Sequence, residues 1–259
     1  MAVAALSLAG AGPAPAPVTP DPESFRLTGS RVTPAHAFFA GRQVSIRFRF
    51  SADGPLDVGV EIVRRRVVRR FLLRGAVPGR LQRVRWDGVT SRGRAAPDGR
   101  YRVRIGAVGG LLRRAGSLAM RGHYYPVRGP HSTRGPRGQF GAQRSGGRRH
   151  EGFDVVAACG TPLAAARGGR VERNVYDPVL YGHLLIIHGR KSHRDYWYSH
   201  LAHRSRLRRG ATVRTGQRVG RVGASGNART VGCHLHFEIR SRGRPIDPWP
   251  HLRRWDRWS

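Results

Sequence analysis

The sequence predicts an all-β protein with two parts, an N-terminal β-sandwich and a C-terminal antiparallel β-sheet domain. Across residues 24–110, short runs of alternating apolar and polar residues recur between turn signals, without helical periodicity. From His150 onward, short apolar runs alternate with glycine-rich turns, and few segments have room for a helix. The length of 259 residues allows one or two domains with a sizeable core. The expected division is a leader at 1–23, a sandwich at 24–110, a linker at 111–121 and a C-terminal domain at 122–259.

The N-terminal strands follow from alternation and from turn signals. Residues 44–50 alternate apolar and polar side chains, which is typical of a half-buried strand. The sequence Ala-Pro-Asp-Gly at 96–99 is a turn signal that precedes another such run. The predicted strands of this half are 44–50, 56–63, 67–73, 83–88 and 101–105.

The amino-acid composition changes before the C-terminal half begins. Residues 107–149 are rich in glycine, arginine and proline, so we expect part of this segment to be a linker and part a loop that leads into His150. The predicted strands beyond it are 152–158, 169–171, 183–188, 196–200, 218–222 and 234–240.

The N-terminus carries a short apolar stretch at residues 2–11, followed by a Pro/Ala segment. It is too short to span a bilayer as a helix. It has the apolar core and small residues of a secretory signal but no basic start, so a truncated signal and a disordered leader both stay open. No other stretch is long and apolar enough for a transmembrane segment.

The formal net charge is +33, and nearly all of the positive charge is arginine, because Lys191 is the only lysine. Codon bias and function are both open as the origin of this excess. A surface this positive attracts polyanions such as envelope polymers, acidic lipids or nucleic acid. Nucleic-acid binding usually adds aromatic platforms among the basic residues, and only residues 196–198 suggest one. Composition alone does not choose among these polyanions, and nucleic acid is not expected as a partner.

The run of residues 233–239 contains two histidines at alternate positions. Because side chains alternate in a strand, His234 and His236 lie on one face, about 7 Å apart, and Leu235 and Phe237 lie on the core face. By the same alternation His150 and Asp154 share one face of an extended segment. Two imidazoles and a carboxylate on adjacent strands suit Zn²⁺, which accepts nitrogen and oxygen ligands. His200 is a further candidate, and the residues alone do not say which groups bind metal and which act as acid or base.

The only two cysteines, Cys159 and Cys233, flank these clusters. Both stand at odd offsets from the proposed ligands, so their sulfurs should face away from a metal. A disulfide between neighbouring strands and two free buried thiols are both compatible with the sequence.

Four motifs in order resemble the lysostaphin/LytM-type zinc endopeptidases, peptidase family M23. They are His150-x-x-x-Asp154, Tyr198-x-His200-Leu201, the glycine-rich segment 216–226 and the His234-Leu235-His236-Phe237-Glu238 run, within about residues 122–252. The resemblance implies a compact antiparallel β domain that hydrolyses peptide cross-links of bacterial peptidoglycan with one zinc ion. It implies a secreted protein of the bacterial cell envelope, with peptidoglycan stem peptides and anionic cell-envelope polymers as partners. It implies that His150, Asp154 and His236 hold the zinc, and that His200 and His234 act on the water and the intermediate.

Two residues are candidates for contact with the substrate. Tyr198 shares a strand face with His200 by alternation, so it lines a groove or is a packed strand aromatic. Arg149, beside the predicted ligands, contacts an anionic substrate or belongs to an ordinary solvated basic loop.

The N-terminal half has a resemblance of its own. Trp86-Asp87-Gly88, Gly93, Pro97-Asp98-Gly99 and Tyr101 resemble the immunoglobulin-like module of the flagellar hook-capping protein. This resemblance implies a sandwich with an accessory or spacer role.

The alternative to an enzyme is a catalytically inactive M23-like activator or scaffold that binds the cell wall. Some relatives of the family have lost their ligands, whereas all five expected positions are occupied here. The sequence therefore favours a zinc-dependent peptidoglycan endopeptidase.

Overall fold

The computed structural model describes residues 20–259. Within that range the chain is almost entirely β-structure, with strands β1 to β18 and one α-helix, so the predicted all-β fold is confirmed. Most of the predicted leader, residues 1–19, lies outside the described residues, and its last part enters a short 3₁₀ turn at Pro22–Ser24. No helix in the described part of the chain has the length and apolar character needed to cross a membrane.

The N-terminal unit consists of two sheets that pack on a common core. The strands are β1 (Arg26–Thr33), β2 (His36–Phe38), β3 (Val44–Ser51), β4 (Leu56–Val63), β5 (Val67–Ala76), β6 (Gln82–Trp86), β7 (Gly99–Ala107) and β8 (Arg113–Arg121). One sheet has the order β1-β3-β6 and the other β2-β8-β7-β4-β5. Phe48, Trp86 and Tyr101 are among the large side chains buried between them. The likeness to the hook-capping module stays a prediction.

Each predicted N-terminal strand has a counterpart, but the predicted linker at 111–121 is wrong. Strand β8 occupies most of that segment and pairs with β7 and β2. The buried side chains of this strand are Ala115, Leu118 and Met120, which do not alternate regularly. A register shift opposite Val103 causes this irregularity, so a search for strict alternation passes over the strand.

The C-terminal unit is an antiparallel sheet with the order β15-β12-β13-β14-β17-β10-β9, and β18 pairs with β17. Strands β11 and β16 form a separate pair. The core beneath the sheet includes Tyr196, Phe237 and Trp255. The strands are β9 (Ser132–Thr133), β10 (Phe153–Val156), β11 (Pro162–Ala164), β12 (Gly169–Asp177), β13 (Gly182–Gly189), β14 (Arg194–Leu201), β15 (Thr212–Val213), β16 (Arg218–Arg221), β17 (His234–Ser241) and β18 (Arg244–Ile246), and helix α1 is Trp249–Trp255.

The two units meet through buried polar contacts. The Thr215 hydroxyl donates to the carbonyl of Phe39 in the N-terminal unit and accepts from the N–H of Gly168 at 2.7 Å. The Arg167 guanidinium lies 4.5 Å from the centre of the Phe39 ring and donates to the carbonyl of Arg190 at 2.9 Å. A Cβ atom at Gly168 would lie 2.6 Å from the carbonyl oxygen of Ala40, so glycine permits this close approach. The junction is therefore packed around specific hydrogen bonds.

Replacing Thr215 by valine tests this junction. The change keeps the side-chain volume but leaves the Gly168 N–H and the Phe39 carbonyl without a partner, so the free energy of unfolding should fall by about 1–3 kcal/mol. Urea unfolding measures it. Thr212→Val, at an exposed position of β15, is the matched control and should unfold like the wild type. Equal stability of both variants would contradict the importance of the hydroxyl.

Candidate metal centre

The candidate metal centre is built on the pairing of β10 with β17. The antiparallel register places Asp154 directly opposite His236, and Val156 opposite His234. A Cβ atom at Gly152 would lie 2.6 Å from the Phe237 carbonyl oxygen. Glycine therefore lets the chain entering β10 approach β17 closely enough for the side chains to meet.

Three side chains converge at this pairing. Asp154 Oδ1 lies 3.0 Å from His150 Nε2 and 3.0 Å from His236 Nδ1, and the two imidazole nitrogens are 2.8 Å apart. All three groups are buried, and their ligand atoms lie within 4.8 Å of one another. The sequence resemblance singled out these three residues, and the structure brings them together.

His234 and His200 complete the histidine cluster. His234 Nε2 is 3.9 Å from Asp154 Oδ1, and the ring centres of His200 and His234 are 4.8 Å apart. The predicted alternation of β17 is confirmed here, because Leu235 and Phe237 lie in the core and both histidines line the same cleft. All five predicted metal and catalytic residues thus surround one point.

Backbone carbonyls fix the tautomers of three histidines. The Nδ1 atoms of His150, His200 and His234 lie 2.8–2.9 Å from the carbonyls of Gln139, Ser225 and Gly232, in that order. Because a carbonyl oxygen only accepts, each Nδ1 must carry the hydrogen. In the neutral ring the lone pair is then on Nε2, the nitrogen that is free of the backbone.

His236 has the opposite arrangement, and Glu238 is its partner. Glu238 Oε1 accepts from His236 Nε2 at 2.9 Å, so the lone pair of the neutral ring lies on Nδ1, which faces Asp154. Glu238 is fully buried and also accepts from Arg240 Nε at 2.7 Å. Glu238 was not among the site residues predicted from the sequence. The sequence offers one signal for this contact: Glu238 follows His236 by two residues on the same strand, so the two side chains lie on one face.

The pKa shifts divide these histidines into two that are neutral and one that keeps a proton. Burial lowers the pKa of His200 to about 3 and also lowers the pKa of His234, so both rings are neutral at neutral pH. Burial would also lower the pKa of His236, but hydrogen bonds to Asp154 and Glu238 outweigh it and raise that pKa to about 9. Burial would raise the pKa of Asp154, but hydrogen bonds from His150 and His236 hold it far below its usual range. A site that retains a proton between two carboxylates favours positive charge, and metal binding would release that proton.

The prediction that Tyr198 lines the groove is wrong. Strand β14, which carries Tyr198 and His200, has a bulge where it pairs with His183 and Leu185 of β13. Within this bulge His200 adopts a left-handed backbone conformation with φ of 59°. The extra residue breaks the alternation, so His200 faces the cleft while Tyr198 is fully buried against Phe237. The Tyr198 hydroxyl accepts from the Ala166 N–H at 2.6 Å, which identifies it as a packing residue.

A cleft of about 720 Å³ opens over the histidines. Arg149 lines it and donates to the Gly141 carbonyl at 3.2 Å, and its contact with a substrate stays a prediction. Two residues that sequence reasoning missed lie close to the metal ligands. Arg134 Nη1 and Arg144 Nη2 are 3.5 and 3.6 Å from Asp154 Oδ2. Within residues 20–259, the cleft lining comes from the C-terminal unit alone.

Cys159 and Cys233 form a disulfide, with 5.3 Å between their Cα atoms. Cys159 is exposed in the turn after β10, and Cys233 directly precedes β17, so of the two alternatives the structure has the disulfide, at a partly exposed position. The disulfide therefore ties together the two strands that carry Asp154 and His236.

The fold and the site define a class of protein: an antiparallel β domain with a buried His-Asp-His cluster of the kind that suits a divalent metal. Residues 148–248 match the model of a family described as Peptidase family M23. That segment contains all five histidine and aspartate positions, so the C-terminal half is M23-like in sequence.

Three curated relatives are similar over parts of their length. The "Lipoprotein NlpD/LppB homolog" of Pseudomonas aeruginosa is 36% identical over 44% of this chain and 37% of its own length. The "Murein hydrolase activator EnvC" of Escherichia coli is 36% identical over 56% and 32%. The "L-Ala--D-Glu endopeptidase" of Bacillus subtilis is 31% identical over 58% and 48%. The chain thus spans between about a third and a half of the length of these relatives.

Solved structures give similar matches. A mutant catalytic domain of the prophage-encoded M23 protein EnpA from Enterococcus faecalis is 30% identical, with a TM-score of 0.40. The match covers 48% of this chain and 95% of that one. The catalytic domain of lysostaphin from Staphylococcus simulans is 25% identical, with a TM-score of 0.41, over 48% of this chain and 92% of its own.

Removing the disulfide should destabilise the protein. The cysteines are 74 residues apart, so on the chain-entropy account Cys159→Ser/Cys233→Ser should lower the free energy of unfolding by about 4 kcal/mol. Urea unfolding of the variant and of the oxidised wild type measures this loss. Reduced wild type is the control and should match the variant. An unchanged midpoint in both would show that the crosslink adds no stability.

Proposed function

We propose that this protein is a secreted zinc metalloendopeptidase that hydrolyses peptide cross-links of bacterial peptidoglycan. The observation that carries the proposal is the convergence of His150, Asp154 and His236, with His200 and His234 beside them. A domain that only bound the cell wall would not need an aspartate and four histidines with fixed tautomers around one point.

The donor set fits zinc. Two imidazole nitrogens and one carboxylate oxygen are ligands that zinc prefers, and three protein ligands leave a coordination position for water or substrate. Zinc held by these three residues would supply Lewis-acid activation of water and of the scissile carbonyl. Glu238 would hold His236 in the orientation that presents Nδ1 to the ion, as outer hydrogen bonds do in many zinc sites.

His200 and His234 are proposed as the acid–base pair. Both are neutral, and both have Nδ1 occupied by a backbone carbonyl. Each therefore offers an unprotonated Nε2 as a proton acceptor. The same nitrogen, once protonated, would stabilise negative charge on the scissile carbonyl oxygen and donate a proton to the leaving amine. The HExxH pattern that supplies a glutamate base is missing from the sequence, so histidine would take that task.

The names of the relatives support peptidoglycan as the target and indicate two different functions. One is named as an L-Ala–D-Glu endopeptidase and another as a murein hydrolase activator. The second candidate function is therefore an inactive activator or scaffold of the cell wall. The presence of all three residues of the His-Asp-His cluster favours the enzyme. Peptidoglycan stem peptides and, through the charge of +33, anionic envelope polymers are the proposed partners.

Zinc content and turnover test the assigned roles. The wild type should bind one zinc per chain, and His236→Ala should lose it, because a ligand is removed. His200→Ala should keep the zinc but cleave cross-linked peptides about 10²–10⁴-fold more slowly, since only the proton acceptor is lost. Metal analysis and chromatography of released peptides measure both properties.

The control variant is His193→Ala, at an exposed position outside the cleft, which should behave like the wild type. Full activity of His200→Ala would refute its role. Zinc-free wild-type protein that releases no peptides from purified sacculi, yet stimulates a separate murein hydrolase, would establish the activator instead.

The role of Glu238 is tested through metal affinity. Glu238→Ala removes the acceptor for His236 Nε2–H and should weaken zinc binding about 10–100-fold. Glu238→Gln keeps an acceptor oxygen and should lose less. A competitive chelator titration measures the affinities, and Glu172→Ala, an exposed residue on β12, is the control. Unchanged affinity in both Glu238 variants would show that the contact is only structural.

A further inference from the structure

A second cleft lies where the two units meet, and we call it the junction cleft. Its volume is about 860 Å³, which is larger than that of the cleft over the metal centre. Clefts of about 300–1,000 Å³ are large enough to hold a ligand. The N-terminal unit supplies one wall, and the beginning of β12, the end of β13 and the segment around β15 supply the other. The junction cleft therefore exists only because the two units are joined.

The positive charge of the junction cleft is almost uncompensated. Five arginines line it, and in the described part of the chain Asp87 is the only carboxylate among the lining residues. Arg190 Nη2 donates to Asp87 Oδ2 at 2.8 Å, so this carboxylate already has a partner. The other four arginines are exposed and form no ion pair within residues 20–259, and they are Arg42, Arg85, Arg170 and Arg214. Because like charges repel, an anion with several charges would stabilise this arrangement.

The two walls of the junction cleft are held in place by specific contacts. Arg190 and Asp87, which form the ion pair, come from different units. The buried hydrogen bond from the Thr215 hydroxyl to the Phe39 carbonyl joins the same two units. A site that is already assembled loses less conformational entropy when a ligand binds. High arginine content alone would supply the charge, but it would not supply a fixed cleft.

Neutral donors accompany the arginines. Gln43, Ser45 and Thr212 also line the junction cleft. A guanidinium fork gives two parallel N–H donors to a phosphate, and amide and hydroxyl groups can donate to the phosphate oxygens that remain. Among the described residues that line the cleft, none is Phe, Tyr or Trp, so nucleobases would find no stacking platform there. The lining therefore suits phosphates that are carried on a chain without bases.

Part of the junction cleft lies on the same face of the C-terminal sheet as the metal centre. Arg170 is directly opposite His188, His188 opposite Asp195, and Asp195 opposite Arg240. Opposed residues share a face, and Arg240 shares its face with His236, which precedes it by four positions on β17. Three strand spacings and these four positions separate His236 from Arg170 by roughly 20 Å. A ligand in the junction cleft would thus leave the metal centre free while both sites faced the same layer of the envelope.

We propose that the junction cleft binds a chain of phosphodiesters, an anionic polymer in which phosphate recurs along a flexible backbone. The proposal assigns a site to the anionic partner of the proposed function, and it requires neither zinc nor hydrolysis. Arg42 and Arg170, from opposite walls, are assigned to phosphate contacts because both are exposed and neither has an ionic partner among the described residues. A single phosphate cannot balance four guanidinium groups, whereas consecutive phosphates of one chain can.

Fluorescence anisotropy with the full-length protein and a labelled poly(glycerol phosphate) chain tests the proposal. Arg42→Gln/Arg170→Gln should bind about tenfold more weakly, because it removes two exposed ion pairs. A plot of log affinity against log salt should become less steep by about two. Arg65→Gln/Arg66→Gln, in the exposed β4–β5 turn, removes the same charge elsewhere and should bind like the wild type. Equal weakening in both double variants would overturn the proposal, since net charge alone would then explain binding.

Competing anions test whether the ligand is a phosphate chain. Orthophosphate at the same phosphate concentration should displace little of the probe, because each ion contacts the cleft singly. Poly-glutamate with the same number of charges should bind more weakly, and oligothymidylate should bind no more tightly than poly(glycerol phosphate). Equal affinity for poly-glutamate, or displacement by orthophosphate, would overturn the choice of a phosphate chain. Tighter binding of oligothymidylate would make nucleic acid the ligand and would also overturn it.

His236→Ala separates this proposal from the proposed function. The variant lacks a proposed zinc ligand and should bind poly(glycerol phosphate) like the wild type, because the junction cleft does not include His236. Loss of binding in His236→Ala would place the anion at the metal centre and overturn the proposal. A wild type that binds the polymer in the junction cleft but releases no peptides from sacculi would refute the endopeptidase, and the polymer site would stand.

Discussion

The pairing of β10 with β17 is the constraint on which the metal centre depends. Hydrogen bonds between the two backbones fix the register, and the register puts Asp154 opposite His236. Side chains at directly opposed positions of an antiparallel pair lie within reach of each other without any adjustment of the backbone. The disulfide from Cys159 to Cys233 closes the same pair of strands. The site is therefore preorganised by backbone geometry.

The backbone also helps to determine which nitrogen of each imidazole carries the hydrogen. Three carbonyl oxygens and one buried carboxylate each occupy one ring nitrogen, so each neutral histidine has a defined lone-pair nitrogen. Such partners orient metal ligands and set their basicity in the same way. His200 requires a left-handed backbone conformation to reach its place, which is costly for a residue with a Cβ atom. The bulge of β14 and the Ser225 carbonyl hold it there.

The N-terminal unit lies away from this chemistry. Its contacts, through Phe39 and Asp87, reach Arg167, Thr215 and Arg190, at the end of the sheet where β12 begins and β13 ends. The metal centre lies at the opposite end, where β13 and β17 begin. The two units can therefore be joined firmly while the cleft stays accessible.

The sequence by itself determined the fold class, most of the strands and the five residues of the candidate centre. These depend on local alternation, on turn residues and on short motifs whose spacing survives in the strands. Only the tertiary structure decided that Tyr198 is a core residue, that Glu238 holds His236, that β8 replaces the expected linker, and that Arg134 and Arg144 face Asp154. The physical reason is that bulges shift the two-residue period, and that contacts between distant segments depend on register, which no local pattern encodes.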